Sequence, residues 1–191
     1  MSDEDLQIEA TALAFVKSHE KDIIEKFCGS CQQVITPVSL FMAGSPGAGK
    51  TEVSTSLVRR FETVPVRIDA DEIRSMCPGY TGANAHVFQK AATKGVHILY
   101  DHALRTNIHV ILDGTFAYAD SLRNIERSID HKRKVELWFI YQDPVMAWKF
   151  TQAREALESR RISKDTFITS VHKVQGKCEG RKGSVRSFTY P

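Results

Sequence analysis

The sequence contains no apolar run near the roughly 18 residues that a membrane-spanning helix requires. Its start, MSDEDLQIEA, is acidic and has neither the basic opening nor the apolar core of a secretory signal, so the expected location is the cytoplasm. Cysteine is scarce. Cys28 and Cys31 form C-G-S-C, while Cys77 and Cys178 stand alone. No second Cys pair or His pair follows at ligand spacing, which argues against a zinc module and leaves the pair as two reduced thiols at a helix end. Excess charge of one sign is also small. Lys and Arg total 26 against 23 Asp and Glu, a net charge of +3. That is too weak for a nucleic-acid surface but suits an anionic small molecule. A polynucleotide track is further disfavoured, because no long basic stretch interleaved with aromatics occurs. The 191 residues suffice for one sizeable core. They are expected to form one domain, with a helical preface over 1–35, a core over 36–175 and a tail over 176–191.

What the sequence does hold is GSPGAGKT, Gly44 to Thr51, which matches G-x-x-x-x-G-K-[ST]. Glycines at 44, 47 and 49 let the backbone bend through positive φ and approach phosphate closely. Successive N–H groups of Gly44, Ser45, Gly47, Ala48 and Gly49 then line an anion cradle at a helix N-terminus, with Pro46, which has no N–H, in the same nucleotide-binding loop. Lys50 is placed to reach the β and γ phosphates, and the Thr51 hydroxyl to ligate Mg²⁺. The context agrees. The apolar run VSLFMA, Val38 to Ala43, reads as a buried strand, and EVSTSLVRRF has helical spacing at Val53, Leu57, Val58 and Phe61. Together these predict an α/β fold: a P-loop kinase-like three-layer sandwich, with a mainly parallel sheet flanked by helices.

Residues 3–27 have helical periodicity with a break at His19-Glu20, and form the preface. After the loop helix, Val64, Val66 and Ile68 alternate as in a strand that ends on Asp69 and Asp71. Carboxylates at a strand's C-terminal end beside a phosphate loop can bind Mg²⁺ or take a proton from an attacking hydroxyl. Either can also cap the following helix, and capping is expected to account for one of the two. A long helix is predicted over Asn84–Arg105, its polar face carrying His86, Lys90, Lys94, His97 and Asp101. This stripe reads as a solvated surface, or as a hold for an anionic acceptor if it faces the cleft. IHVILDGT, Ile108 to Thr115, is an apolar strand closing on Asp113, which suits a Walker-B-like acid on the Mg²⁺ side. Helical spacing returns at Leu122, Ile125 and Ile129. A fourth strand follows from Lys134, closed at Asp143-Pro144. The basic segment WKFTQAREALESRRISKDTF comes next, either a solvated helix or a lid over the phosphates. Arg154 and Arg161 in it are seven apart, two helical turns, and so share a face. The tail offers a short last strand over 184–190.

Taken in order, GSPGAGKT, RIDADEIRSMCPGY, VILDGT and AREALESRRIS resemble the zeta toxin family of P-loop kinases over roughly residues 35–175. The resemblance implies transfer of the γ phosphate of ATP or GTP, with Mg²⁺, to a sugar hydroxyl of UDP-N-acetylglucosamine. It also implies a toxin role and an antitoxin that covers the nucleotide site. Asp71 would be the general base and Lys50 the phosphate-loop lysine. Asp113 and Thr51 would stand on the Mg²⁺ side, and Arg154 with Arg161 (or Arg160) would be the lid arginines. Asp69, Arg74, Thr115 and His97 are the expected acceptor-side residues. One position departs from the family pattern. The acid that contacts the sugar nucleotide from the long helix falls near His97, flanked by Lys94 and Asp101, and a histidine does not replace a carboxylate accepting sugar hydroxyls. Two other readings stay open beside the toxin: a P-loop kinase with a metabolic or detoxifying role, and a nucleotide-hydrolysing switch without acceptor.

Overall fold

The computed structural model describes residues 1–116, 121–158, 162–179 and 185–189. The preface is two helices, α1 (Asp3–Ser18) and α2 (Glu20–Cys28), meeting at His19 where the spacing predicts the break. Ser2 caps α1 through a reciprocal capping box with Asp5. There follow β1 (Val38–Ala43), α3 (Lys50–Val58), β2 (Val66–Asp69), α4 (Ala70–Met76), α5 (Gln89–Thr106) and β3 (Val110–Asp113). The chain continues through α6 (Ser121–Asp130), β4 (Lys134–Tyr141), α7 (Pro144–Glu158), α8 (Lys164–Glu179) and β5 (Val185–Thr189). The expected strand β1 and the expected tail strand are therefore both present.

Three boundaries differ from expectation. Val64 is exposed, and β2 begins only at Val66, where pairing to β3 starts. The long helix begins at Gln89, because residues 83–88 run as turns held by bonds such as Val87 N to the Asn84 carbonyl. The basic segment is two helices, since Ser163 starts a new one: its hydroxyl accepts from Thr166 N at 3.2 Å. Within α6, Ile125 is buried but Ile129 is exposed.

All pairings are parallel, in the order β2-β3-β1-β4-β5. The chain moves from β1 outward to β2, returns through β3, and then crosses to β4 on the other side. The C-terminal end of β1 is thus a topological switch point, where open parallel sheets bind ligands. β1 is buried on both faces, and its side chains alternate between two cores. Phe41 and Ala43 join Val66, Ile68, Val110 and Leu112 under α1, α2, α4, α5 and α6. Leu40 and Met42 join Ile111, Trp138, Ile140 and Leu57 on the α3 side. The two faces make the three-layer sandwich expected of a P-loop kinase-like chain.

The end of the sheet away from the cleft is closed by Arg133. Its guanidinium donates to Ser39 Oγ at 2.6 Å and to the carbonyls of Ile108 at 2.6 Å, Ala103 at 3.1 Å and Val38 at 3.1 Å. Burial pulls its pKa down to about 10. Among the described residues, no helix is long and apolar enough to cross a membrane. Cys28 and Cys77 are buried free thiols, and Cys31 is a half-buried one.

Candidate active site

Gly44-to-Thr51 wraps the C-terminal end of β1. Gly47 and Gly49 adopt φ of 74° and 86°, the left-handed region closed to most side chains. A Cβ on Gly44 would stand 2.5 Å from the Ile140 carbonyl, and one on Gly47 would collide with the Ala147 carbonyl of α7. Gly49 then hands the chain directly into α3. The loop thus ends at the N-terminus of α3, where the first backbone N–H groups have no partner within the helix, beside Lys50 and Thr51. Lys50 Nζ donates back to the Ser45 carbonyl at 2.7 Å, across the mouth of the loop. The cavity here, about 110 Å³, is lined among others by Pro46, Gly47, Lys50, Thr51, Asp113 and Arg154. A second cavity of about 330 Å³ lies on the outer side of the same loop, between Ala48, Glu52, Gln142, Phe150 and Arg154. Arg154, on α7, therefore borders both.

The acids come from neighbouring strands. Asp69 and Asp113 are register partners at the ends of β2 and β3, which sets two carboxylates side by side. Arg67 lies two residues before Asp69 and so on the same face of β2. Its guanidinium donates to Asp113 Oδ2 at 2.7 Å and to Asp69 Oδ2 at 3.4 Å, and it also pairs with Glu72. Ser54, one turn into α3, donates to Asp113 Oδ2 at 2.5 Å. Burial pushes the Asp113 carboxyl above the usual carboxylate range, against the opposing pull of the Ser54 hydrogen bond and of Arg67. Neither Arg67 nor Ser54 stands out in the sequence; only the strand register and the helix packing bring them to Asp113.

Asp69 and Asp71 divide their work. Asp69 is the N-cap of α4, its Oδ1 accepting from Asp71 N at 2.9 Å. Asp71 is then inside the helix, with its carboxylate paired to Arg74 one turn on. Arg74 is buried, and burial lowers its pKa. Its Nη2 donates to Gln89 Oε1 at 2.5 Å at the start of α5. Asp71 is thus oriented by a guanidinium that is itself pinned between two helices.

A third cavity of about 320 Å³ opens beyond these acids. Its lining is part apolar, with Phe41, Ile68, Val96 and Phe116, and part polar, with Arg74, Gln89, Thr93, His97 and Thr115. Phe116 has φ of 61° and is 1 % exposed, an uncommon backbone for an aromatic residue. Asp69, Asp71, Asp113 and Gly114 line both this cavity and the phosphate-loop cavity. Of the expected acceptor-side residues, Asp69, Arg74, Thr115 and His97 all border the one chamber. The long helix's polar stripe is split. His97 faces the chamber, while Lys90 turns to α1 and pairs with Glu9 at 2.6 Å. The basic segment divides likewise, since Arg154 borders the cleft while Lys149 and Lys164 are exposed. Arg161 and Arg160 lie outside the described residues.

Thr51 and Asp113 are a hydroxyl and a buried carboxylate on one cavity beside a lysine and a ring of backbone donors. That set fits a nucleoside triphosphate carrying Mg²⁺, an ion that keeps water and phosphate oxygens as most of its ligands.

Comparison with family models matches residues 22–185 to the zeta toxin model. The chain belongs to the zeta toxin family. No curated protein matches it. Among solved structures it is similar to a chain of the PezAT chromosomal toxin–antitoxin system of Streptococcus pneumoniae, with TM-score 0.74 and 18 % identity over 99 % of this chain and 78 % of that one. A chain of the Pnkp1/Rnl/Hen1 RNA repair complex gives TM-score 0.62 and 21 % identity over 77 % of this chain and 47 % of that one. A putative kinase from Chloroflexus aurantiacus gives TM-score 0.58 and 15 % identity over 81 % and 88 %. At these identities the solved structures establish the fold, a P-loop kinase sandwich, and this member of the zeta toxin family carries the cleft described above on it.

Proposed function

We propose that this zeta toxin family member is a kinase that moves the γ phosphate of ATP or GTP to a hydroxyl of a small anionic acceptor, a nucleotide-sugar such as UDP-N-acetylglucosamine. The observation that carries the reading is the meeting of two chambers. The phosphate-loop cavity and the chamber on α5 share Asp69, Asp71, Asp113 and Gly114. A donor in the first and an acceptor in the second would therefore meet at Asp71.

In this reading the loop N–H groups and Lys50 hold the β and γ phosphates. Thr51 and, through water, Asp113 would hold Mg²⁺, which supplies charge neutralisation at the phosphates. Arg67 and Ser54 keep the Asp113 carboxylate at one angle. Asp71, steadied by Arg74, takes the acceptor's proton as its oxygen attacks. Arg154 meets charge that grows on the transferring group, and Arg161 would join it. Phe150 and Gln142 border the outer cavity, which suits the nucleoside. Val145, Met146 and Phe150 of α7 are exposed apolar residues, and Phe150 borders that cavity. They give an antitoxin a surface on which to cover the nucleotide site.

The test is transfer of label from γ-labelled ATP or GTP across a panel of nucleotide-sugars, nucleotides, free sugars and aminoglycosides. The expected result is label on a nucleotide-sugar, lost in Lys50→Ala. Label released only as phosphate, at the same rate with and without every acceptor, would favour the hydrolysing switch. One observation favours a kinase with a different acceptor: His97 stands on the chamber wall where an amino-sugar site would offer a carboxylate. Label on a nucleoside or an antibiotic alone would decide for that alternative.

A further inference from the structure

Cys28 and Cys31 border none of the three cavities of the cleft. Cys28 ends α2, and Cys31 lies three residues on, at the start of the segment that leads to β1. Between them the chain turns at once. Gly29 has φ −59° and ψ −25°, close to the first central residue of a type I turn, and Cys31 N donates to the Cys28 carbonyl at 2.9 Å. A turn closed in this way brings its first and last Cα atoms within about 7 Å. A disulfide asks for a Cα separation of about 4.4–6.8 Å, so the local backbone already supplies the span.

The side chains agree with the backbone. Cys28 is 7 % exposed and belongs to the core that α5 shares with the sheet, while Cys31 is half-buried and packs on the edge of that core. The two sulfurs share a hydrogen bond, and Cys31 Sγ donates onward to the Phe27 carbonyl at 3.8 Å. The shared bond holds the Cys31 thiol below the usual cysteine range, against the effect of burial. The same bond pushes Cys28 well above that range, and burial adds to it. One sulfur is therefore the more acidic and the more accessible, and the other is a covered thiol in contact with it. Cys77 shows the contrast. It is buried, its Sγ donates to the Ile73 carbonyl at 3.6 Å, and burial raises it. A thiol that ionises readily, reaches solvent and has a second thiol beside it is the arrangement of a redox-sensing cysteine and its resolving partner.

We infer that Cys28 and Cys31 form a reversible redox-modification site, in which Cys31 attacks a small-molecule disulfide and Cys28 resolves the adduct into an internal disulfide. In the first step the Cys31 thiolate attacks one sulfur of the oxidant, the oxidant's S–S bond breaks, and one thiolate leaves. In the second, Cys28 attacks Cys31 Sγ, the Cys28–Cys31 bond forms, and the other thiolate leaves. Each departing thiolate takes up the proton given up by the attacking cysteine. Two electrons pass from the cysteine pair to the oxidant, which ends as two thiols. Because the thiols touch in the reduced chain, closure is fast and the adduct does not persist. The closed ring holds four residues, so it restrains the unfolded chain less than a long crosslink would. It is a bond suited to switching, not to holding the fold together.

The experiment exposes the reduced full chain to glutathione disulfide under native conditions, blocks the remaining thiols with iodoacetamide, and weighs the peptide that spans both cysteines. The expected result is a loss of two hydrogens from that peptide, reversed by dithiothreitol. Cys28→Ala should stop at a glutathione adduct on Cys31. Cys31→Ser should leave the buried Cys28 reduced. Thermal melting is the folding control for both variants. A wild-type peptide that stays reduced, that closes only in denaturant, or that accumulates the adduct without closing would overturn the proposal. So would a folded Cys31→Ser chain whose Cys28 takes up glutathione as fast as Cys31 does in Cys28→Ala. The readout is independent of phosphoryl transfer, so it stands or falls apart from the kinase reading.

Discussion

The phosphate-binding end of the cleft takes its parts from one run of eight residues, Gly44 to Thr51. The acceptor end takes its parts from β2, α4, α5 and β3, residues more than forty positions apart from first to last. Local chemistry dictates the first: three glycines, a lysine and a hydroxyl must be adjacent, because successive backbone N–H groups do the binding. Tertiary register dictates the second. Arg74 matters because Gln89 lies across from it, and Asp113 is restrained because Arg67 and Ser54 reach it from a neighbouring strand and helix. A sequence motif therefore predicts a donor site far better than it predicts an acceptor.

Changes at the donor end should have the largest effects. Lys50→Ala is expected to leave melting unchanged and lower transfer by about a thousandfold or more, since it removes a charge aimed at the phosphates. Transfer near the wild-type rate would break the comparison at its better-read end. Gly47→Ala is a companion test of geometry. Its φ of 74° and the approach of the Ala147 carbonyl leave no room for a Cβ, so nucleotide binding should weaken.

Arg154→Ala should be next in size, about 10²–10³-fold in kcat with nucleotide affinity little changed, because the charge it meets develops in the transition state. A change confined to nucleotide KM would make it a ground-state clamp. An unchanged rate would return α7 to a solvated surface.

Acid pH offers a smaller and more graded test of the join between the two ends. Burial raises the Asp113 carboxyl, and it must be ionised to serve the Mg²⁺ side. The kcat/KM for nucleotide, which reports the free enzyme, should therefore fall, as pH is lowered, at a higher pH than an ordinary aspartate near about 3.9 would set. In stability the sign is opposite. An acid raised by folding penalises the native state once the unfolded carboxylate ionises, so Asp113→Asn should relieve part of that cost at neutral pH. A pH–rate profile whose acid limb is the same in wild type and Asp113→Asn would contradict the assignment.

The mildest prediction belongs to the acceptor end alone. A Cβ on Gly95 would stand 2.6 Å from Ile73 Cγ2, where α5 crosses α4. Gly95→Ala should cost about 1–3 kcal/mol, read as a drop of several degrees in Tm. By moving α5 away from Arg74 it should raise acceptor KM while nucleotide binding stays as it was.

These contrasts follow what was legible beforehand. β1 could be read to the residue, because a double-sided core needs an unbroken apolar run. The helix break at His19 and the closing strand could be read as well. The start of α5 could not, since residues 83–88 have helical spacing but their bonds close as turns. Nor could the division of labour between Asp69 and Asp71, because both are good caps and only the backbone at Asp69, φ −118° and ψ 122°, selects it. Arg67, Ser54 and Gln89 carry no local signal. Each acquires its place from a partner at least fifteen residues away or on another element.

The central claim, that an acceptor hydroxyl gives up its proton at the junction of the two chambers, is tested most directly by single-turnover transfer in Asp71→Asn beside Asp69→Asn. Asn caps a helix about as well as Asp, so Asp69→Asn should keep the start of α4 and most of the activity. Asp71→Asn keeps the shape but removes the proton acceptor, and transfer should be almost lost while nucleotide affinity remains near wild type; melting falls modestly, because the buried Arg74 loses its charge partner. Transfer at the wild-type rate by folded Asp71→Asn, with the loss falling on Asp69→Asn instead, would contradict the account.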